Sequence, residues 1–373
     1  MVYTGSIKIG FTGDIALSQY FYDNFLNQND DFFNNMSCVW DDCDFVAGNF
    51  EGTLIPDTPS FKYKQAKLQS PEPILNAFSG TPFKVFTCAN NHILDSGHEA
   101  LNFTVESLNK RGFLTFGAGT TKHEANAGQF QKIYDYRIAW IAGCEFFYAH
   151  AVRNKSGSAD YSKKRLLKSI KIAQNTSDLI IVVLHTDFEF RDHPDPARQK
   201  LCRSLIDAGA NIVICHHPHV WQGIEQYSDG LIAYSIGNFL FAIGDYQKKH
   251  SGVMETGLLK ININFSGLKT PDFSWSVAPL RLNDRFYPVP VNDDMAKKWV
   301  HRLNLLSEEL LDKSKLQSAW ADTSKKEFRE IIYGLYYCMC NRGLRPLIKR
   351  LIHVCSESLT WRALIGVCSK GKL

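Results

Sequence analysis

The stretch NIVICHHPHVWQGIE, Asn211–Glu225, joins an apolar run to three histidines, His216, His217 and His219, with Pro218 between the last two. Ile212-Val213-Ile214 has the β-branched composition of a buried strand. A lone histidine is ordinary, but several at one strand end form a set of imidazoles suited to transition metals. Residues two apart in extended backbone project to the same side. The spacing therefore predicts that His217 and His219 face one site while His216 faces elsewhere.

The same pattern recurs outward from this stretch. IKIGFTGD, DFVAGNFEG, FKVFTCANNH, LIIVVLHTD and LIAYSIGNF are short runs rich in Ile, Val and Phe. Each ends in polar residues: Asp14, Asn49 with Glu51, Asn90-Asn91-His92, His185, and Asn238. Between several of them lie helical patterns. In GHEALNFTVESLNKRG, Leu101, Val105 and Leu108 keep a helical spacing that stops at Gly112, and KRLLKSIKIAQNTSD and DPARQKLCRSLIDAGA read the same way. Strands alternating with helices predict an α/β fold, in which ligands bind beyond the carboxyl ends of the strands. Taken singly, Asp14 reads equally as a helix cap, Glu51 and Asn90-Asn91 as turn residues, and His185 as a structural histidine. Their shared placement after strands points instead to one mouth.

The 373 residues, 45% hydrophobic, suffice for a sizeable core, and a net charge of +4 spread along the chain implies no general affinity for nucleic acid. Cys38, Cys43, Cys88, Cys144, Cys202 and Cys215 sit singly, mostly in apolar runs, and read as reduced thiols. MVYTGSIKIGFTGD lacks the pattern of a secretory signal, and no run of about 18 apolar residues occurs, so the expected location is cytoplasmic. Residues 1–290 are expected to form the α/β domain, closed by antiparallel strands after residue 257. Residues 291–373 read as a helical, basic extension carrying Arg342, Arg345, Lys349, Arg350, Arg362, Lys370 and Lys372. Two readings apply to it: helices packed on the domain with a solvated basic face, or peripheral contact with the inner membrane face.

TGDIAL, GNFEGTL, CANNHILDSG, LHTDFEF, DAGANIVICHHPHVWQGIEQY and IAYSIGNFLF occur in this order. They resemble the motifs of the CapA family, the capsule or poly-γ-glutamate biosynthesis proteins, whose fold is similar to calcineurin-like metallophosphoesterases. The resemblance implies a four-layer αββα sandwich holding one or two divalent metal ions (Mn, Zn or Fe). It puts Asp14, Glu51, Asn91, His185, His217 and His219 in metal-ligand positions, Glu51 near the bridging place. His92 matches the group that protonates the leaving group, and Asn49, Glu189 and His216 are candidate substrate contacts. The sequence also departs from the pattern. Ala16 replaces the histidine of D-x-H, Thr186 and Asp187 replace Trp and Gly of H-W-G-x-E, and Cys215 replaces a glycine. Asp187 is then either an extra ligand or a loop residue, and Cys215 either a ligand or a packed thiol. The implied function is a metal-dependent, phosphoesterase-like hydrolase of capsule or poly-γ-glutamate biosynthesis. Its partner is an anionic polymer or a phosphorylated or peptidic precursor, with ester and amide chemistry both open. The alternative is a non-catalytic polymer-binding component of capsule assembly or export.

Overall fold

Side-chain alternation within two sheets decides what each layer meets. The computed structural model describes residues 5–28, 31–56, 68–244, 247–250, 252–265 and 271–322. The first sheet has eight strands. Seven run in the order Pro288–Pro290, Asp272–Leu282, Glu255–Phe265, Gly5–Ala16, Phe45–Phe50, Phe83–Thr87 and Leu114–Phe116. The eighth, Asn238–Phe241, pairs with the end of Gly5–Ala16. The second sheet has six strands: Ile224–Tyr227, Gly230–Ala233, Ile212–His216, Leu179–His185, Tyr136–Cys144 and Gln129–Ile133.

Ile7, Ile9, Phe11, Phe45 and Val85 of the first sheet share one buried cluster with Trp140, Ile181, Val183, Ile212 and Ile214 of the second. Alternate residues face outward and are covered by helices. Val46, Phe83 and Phe86 pack with Phe21 of helix Gln19–Gln28 and with Leu101 and Leu108 of helix His98–Lys110. Ile141, Val182, Leu184 and Val213 pack with Leu166 and Ile170 of helix Lys163–Ala173 and with Leu205 of helix Pro196–Asp207. The result is an αββα sandwich. Full burial of each such side chain contributes about 1.5–3 kcal/mol, so strands apolar on both faces are what this layering demands.

The chain beyond residue 290 enters the same core. Asn292 caps helix Asp293–Leu311 by accepting the Met295 N–H. Trp299 and Leu303 of that helix join the inter-sheet cluster, with Trp299 4.8 Å from the Trp221 ring. Residues 313–322 are helical and bring Leu316 into the cluster under the second sheet. The basic set from Arg342 to Lys372, and with it any membrane contact of the extension, lies outside the described residues. Among the described residues no helix is long and apolar enough to cross a membrane. The six cysteines named above are free thiols.

Candidate metal centre

Asp14 sits at an irregularity of its strand. The register slips beside it toward both Phe45–Phe50 and Asn238–Phe241, the kind of local bulge that re-aims a side chain. Its own N–H donates to Gly237 O at 3.0 Å. Asp14 Oδ1 accepts from Asn49 Nδ2 at 2.8 Å and lies 3.0 Å from His216 Nδ1. Asp14 Oδ2 lies 3.1 Å from His219 Nδ1 and accepts the His217 backbone N–H at 3.3 Å. Burial pushes this carboxyl up, but His216 and His219 outweigh it and hold Asp14 well below the usual carboxylate range.

Glu51 follows the neighbouring strand and is fully buried. Its Oε1 has no hydrogen-bond partner among the described residues and lies 3.8 Å from both His92 Nε2 and His185 Nε2. Burial, then the charge of Asp14, pushes Glu51 up to about 8. His185 ends its strand with Nε2 2.8 Å from Asn91 Oδ1 and Nδ1 3.3 Å from Asn49 Nδ2. Burial holds His185 and His217 well below the ordinary histidine value. His219 is lifted to about 10, because the hydrogen bond to Asp14 and the charge of Glu51 overcome burial.

The histidine turn corrects the expectation drawn from alternation. His217 and His219 have φ values of +101° and +59°, so the backbone after His216 is not extended. The Thr186 N–H donates to His216 O at 2.9 Å and the Phe190 N–H to Pro218 O at 2.7 Å, which holds the turn. His216 consequently meets Asp14 as well, instead of facing elsewhere.

These residues form two groups able to hold a cation, Asp14–Glu51–His185 and Glu51–His217–His219. In each, the ligand atoms lie within 4.8 Å of one another, and Glu51 belongs to both. Asn91 touches His185 at the edge of the first group. The donor set and the orphaned Glu51 Oε1 fit divalent metal, since buried carboxylates persist where they are paired or coordinate an ion. His92 lies at the rim with its side chain 30% exposed, and its Nδ1 is 2.7 Å from Asp95 Oδ2. Burial alone lowers its pKa, but Asp95 and Glu51 raise it on balance. Asp95 is given no role by the sequence motifs above, and its one sequence signal is an acid three residues after His92.

The candidate substrate contacts divide. Asn49 and His216 are buried and both contact the Asp14 carboxylate. Glu189 is exposed. Asp187 is a loop residue: Oδ1 accepts the Phe188 N–H at 3.0 Å and Oδ2 the Asp195 N–H at 2.9 Å. Cys215 Sγ packs 3.8 Å from Cys202 Sγ. That thiol, then burial, holds Cys215 well above the ordinary thiol value, and the side chain packs in the apolar cluster between the second sheet and helix Pro196–Asp207. Ala16 packs beside Val220 and Phe241. Phe146, also unforeseen, lays its ring 4.5 Å from that of His217.

Residues 8–243 match the family described as Bacterial capsule synthesis protein PGA_cap. The chain is similar to the capsule biosynthesis protein CapA of Bacillus anthracis, with 29% identity over 306 residues, 79% of this chain and 72% of that protein. It is equally similar to the PGA biosynthesis protein CapA of Bacillus subtilis (strain 168), with 29% identity over 304 residues, 78% and 76% of the two chains. A crystal structure of a phosphatase from Mycoplasma pneumoniae superimposes with a TM-score of 0.49 at 13% identity, covering 74% of this chain and 95% of that one. With the matched region spanning every candidate ligand from Asp14 to His219, the chain belongs to the PGA_cap family of bacterial capsule synthesis proteins.

Proposed function

We propose that this chain is a metal-dependent hydrolase with phosphoesterase-like chemistry, acting on an anionic capsule polymer or on its phosphorylated or peptidic precursor. One observation carries the reading: two buried three-residue groups share Glu51, whose Oε1 has no hydrogen-bond partner among the described residues. Mixed imidazole and carboxylate donors suit Mn, Zn or Fe. Asp14, Glu51 and His185, with Asn91 beside them, would hold one ion, and Glu51, His217 and His219 the other. Divalent metal bound there supplies Lewis acidity toward water and toward the ester or amide oxygen.

The chain's own residues account for the rest. Asn49 orients Asp14 by donating to its carboxylate. Asp95 engages Nδ1 of His92, which leaves Nε2, 3.8 Å from Glu51, as the nitrogen that gives its proton to the departing oxygen or nitrogen. The ring of Phe146 covers His217 and shields that side from water. The names of the two Bacillus proteins support a substrate drawn from capsule or PGA synthesis.

The test begins with the metal-stripped full chain titrated with Mn(II), Zn(II) and Fe(II). Hydrolysis of p-nitrophenyl phosphate, a phosphodiester and poly-γ-glutamate is then followed. Metal uptake with turnover of at least one substrate is expected. Metal uptake with no turnover of any supports the polymer-binding alternative, and absence of uptake defeats the metal-centre reading itself.

A further inference from the structure

The loop 186–195 leaves His185, passes the exposed Glu189 and ends at helix Pro196–Asp207. Its inner side is tied to the histidine turn by the two backbone hydrogen bonds from Thr186 and Phe190. Its outer side meets three residues from beyond position 290. Arg302 Nη2 lies 2.5 Å from Asp192 Oδ1, and Glu309 Oε2 lies 2.7 Å from His193 Nε2. The Arg191 guanidinium lies between two rings, 3.9 Å from the Phe188 centroid and 4.2 Å from that of Trp320.

The first two contacts are partly exposed ion pairs, which contribute little. The third is buried. Arg191 is 3% and Trp320 8% exposed, and a desolvated cation over an aromatic face is the stronger kind of contact. Phe188 and Trp320 meet edge to face at 5.2 Å, and Phe146 packs against that pair. Phe146 in turn lies on His217. Trp320, Phe188, Phe146 and His217 therefore make an unbroken packed path from the last described helix to a candidate ligand.

We infer that Trp320 is a positioning residue of the metal centre: with Arg191 and Phe188 it holds the 186–195 loop and Phe146 against His217. The affinity of the Glu51–His217–His219 group for a divalent ion then depends on a side chain that is not a ligand. This rests on the metal-centre reading above. It also makes residues 313–322 part of the site's support rather than an appendage.

The experiment uses the full chain, stripped of metal and titrated with Zn(II) and Mn(II), with melting followed in parallel. Trp320→Ala is expected to lose roughly 10–100-fold in metal affinity, the range seen when a group orienting a ligand is removed. Trp320→Phe, which keeps a ring over Arg191, restores most of it. Leu108→Ala opens a cavity in helix His98–Lys110, in a cluster that holds neither Phe146 nor a residue of the loop, and should lower the melting temperature while leaving affinity unchanged. Should Trp320→Ala fail to fold, Arg191→Met tests the same clamp and is expected to weaken metal binding. Wild-type affinity in Trp320→Ala, or an equal loss in Leu108→Ala, overturns the inference. A wild-type chain that takes up no metal overturns the metal-centre reading with it, whereas equal binding by wild type and Trp320→Ala overturns the positioning role alone.

Discussion

Gly13→Ala tests whether the TGD motif is set by space beside the metal centre. A Cβ built on Gly13 meets Gly237 O at 2.1 Å, and Gly237 C and Ile236 O at 2.7 Å each. Ordinary contact begins at 3.4 Å, and all three obstructing atoms are backbone, so no side chain swings away to make room. The two segments have to separate by about 1 Å, a form of overpacking that costs about 1–3 kcal/mol. The same separation opposes the Asp14 N–H bond to Gly237 O, now 3.0 Å long. Asp14 therefore moves with the substituted residue, whereas metal–ligand distances tolerate only about 0.2 Å. Thermal melting of the metal-free chain should show the stability loss, and calorimetric titration with Zn(II) should show weakened binding. Turnover should fall by roughly 10²-fold, the scale of a 1 Å misplacement at a reacting centre. A Gly13→Ala chain that melts and binds metal like wild type refutes the argument.

Ligand and acid separate in a second pair of variants. His217→Ala should lose metal, while His92→Ala should keep it and lose about 10²–10⁴-fold in turnover on a substrate with a poor leaving group; equal metal loss in both removes the acid role from His92. Asp160 supplies a pH test away from the centre. Burial raises its carboxyl, but the Ser162 backbone and side-chain hydrogen bonds and the nearby Arg165 outweigh it, so the folded value lies below the usual 3.8. The stability it contributes is present above the unfolded value and lost as pH falls through the folded one. Asp160→Asn should lower stability at neutral pH and flatten the acid limb of a pH–melting profile, and an unchanged limb would count against the assignment.

The layers and the mouth were legible because both follow from local pattern. Ile181 and Val183 alternate with Val182 and Leu184, and His185 is the next residue of that strand. The histidine turn was not legible, because alternation holds only in extended backbone and His217 and His219 are left-handed. The slip beside Asp14 depends on two partner strands, one from residues 45–50 and one from 238–241. Nothing within TGDIA records either. The outer supports were hidden for a similar reason. Arg302 meets Asp192 110 residues away, and neither residue carries a local sign of the other. Asp95 was the exception, since its spacing from His92 was open to inspection.

Asp187 shows how a departure from the family pattern can be weighed physically. It occupies the position where the resembling motif has glycine, and its φ of +84° explains that preference. Asp187→Gly relieves a left-handed conformation worth about 1–2 kcal/mol in a typical L-residue and less in aspartate, which tolerates this region. The same change removes the acceptors of the Phe188 and Asp195 N–H groups. Buried donors left without partners cost about 1–3 kcal/mol each, so two of them exceed the strain relieved. The Asp187 N–H itself donates to Glu145 Oε2, which also accepts from Arg198, and that contact survives the substitution. Asp187→Gly should therefore unfold at lower urea than wild type and loosen the loop that Trp320 supports, weakening metal binding in the same direction as Trp320→Ala. If Asp187→Gly is as stable as wild type or more so, the two amide hydrogen bonds do not hold this loop, and the aspartate needs another explanation.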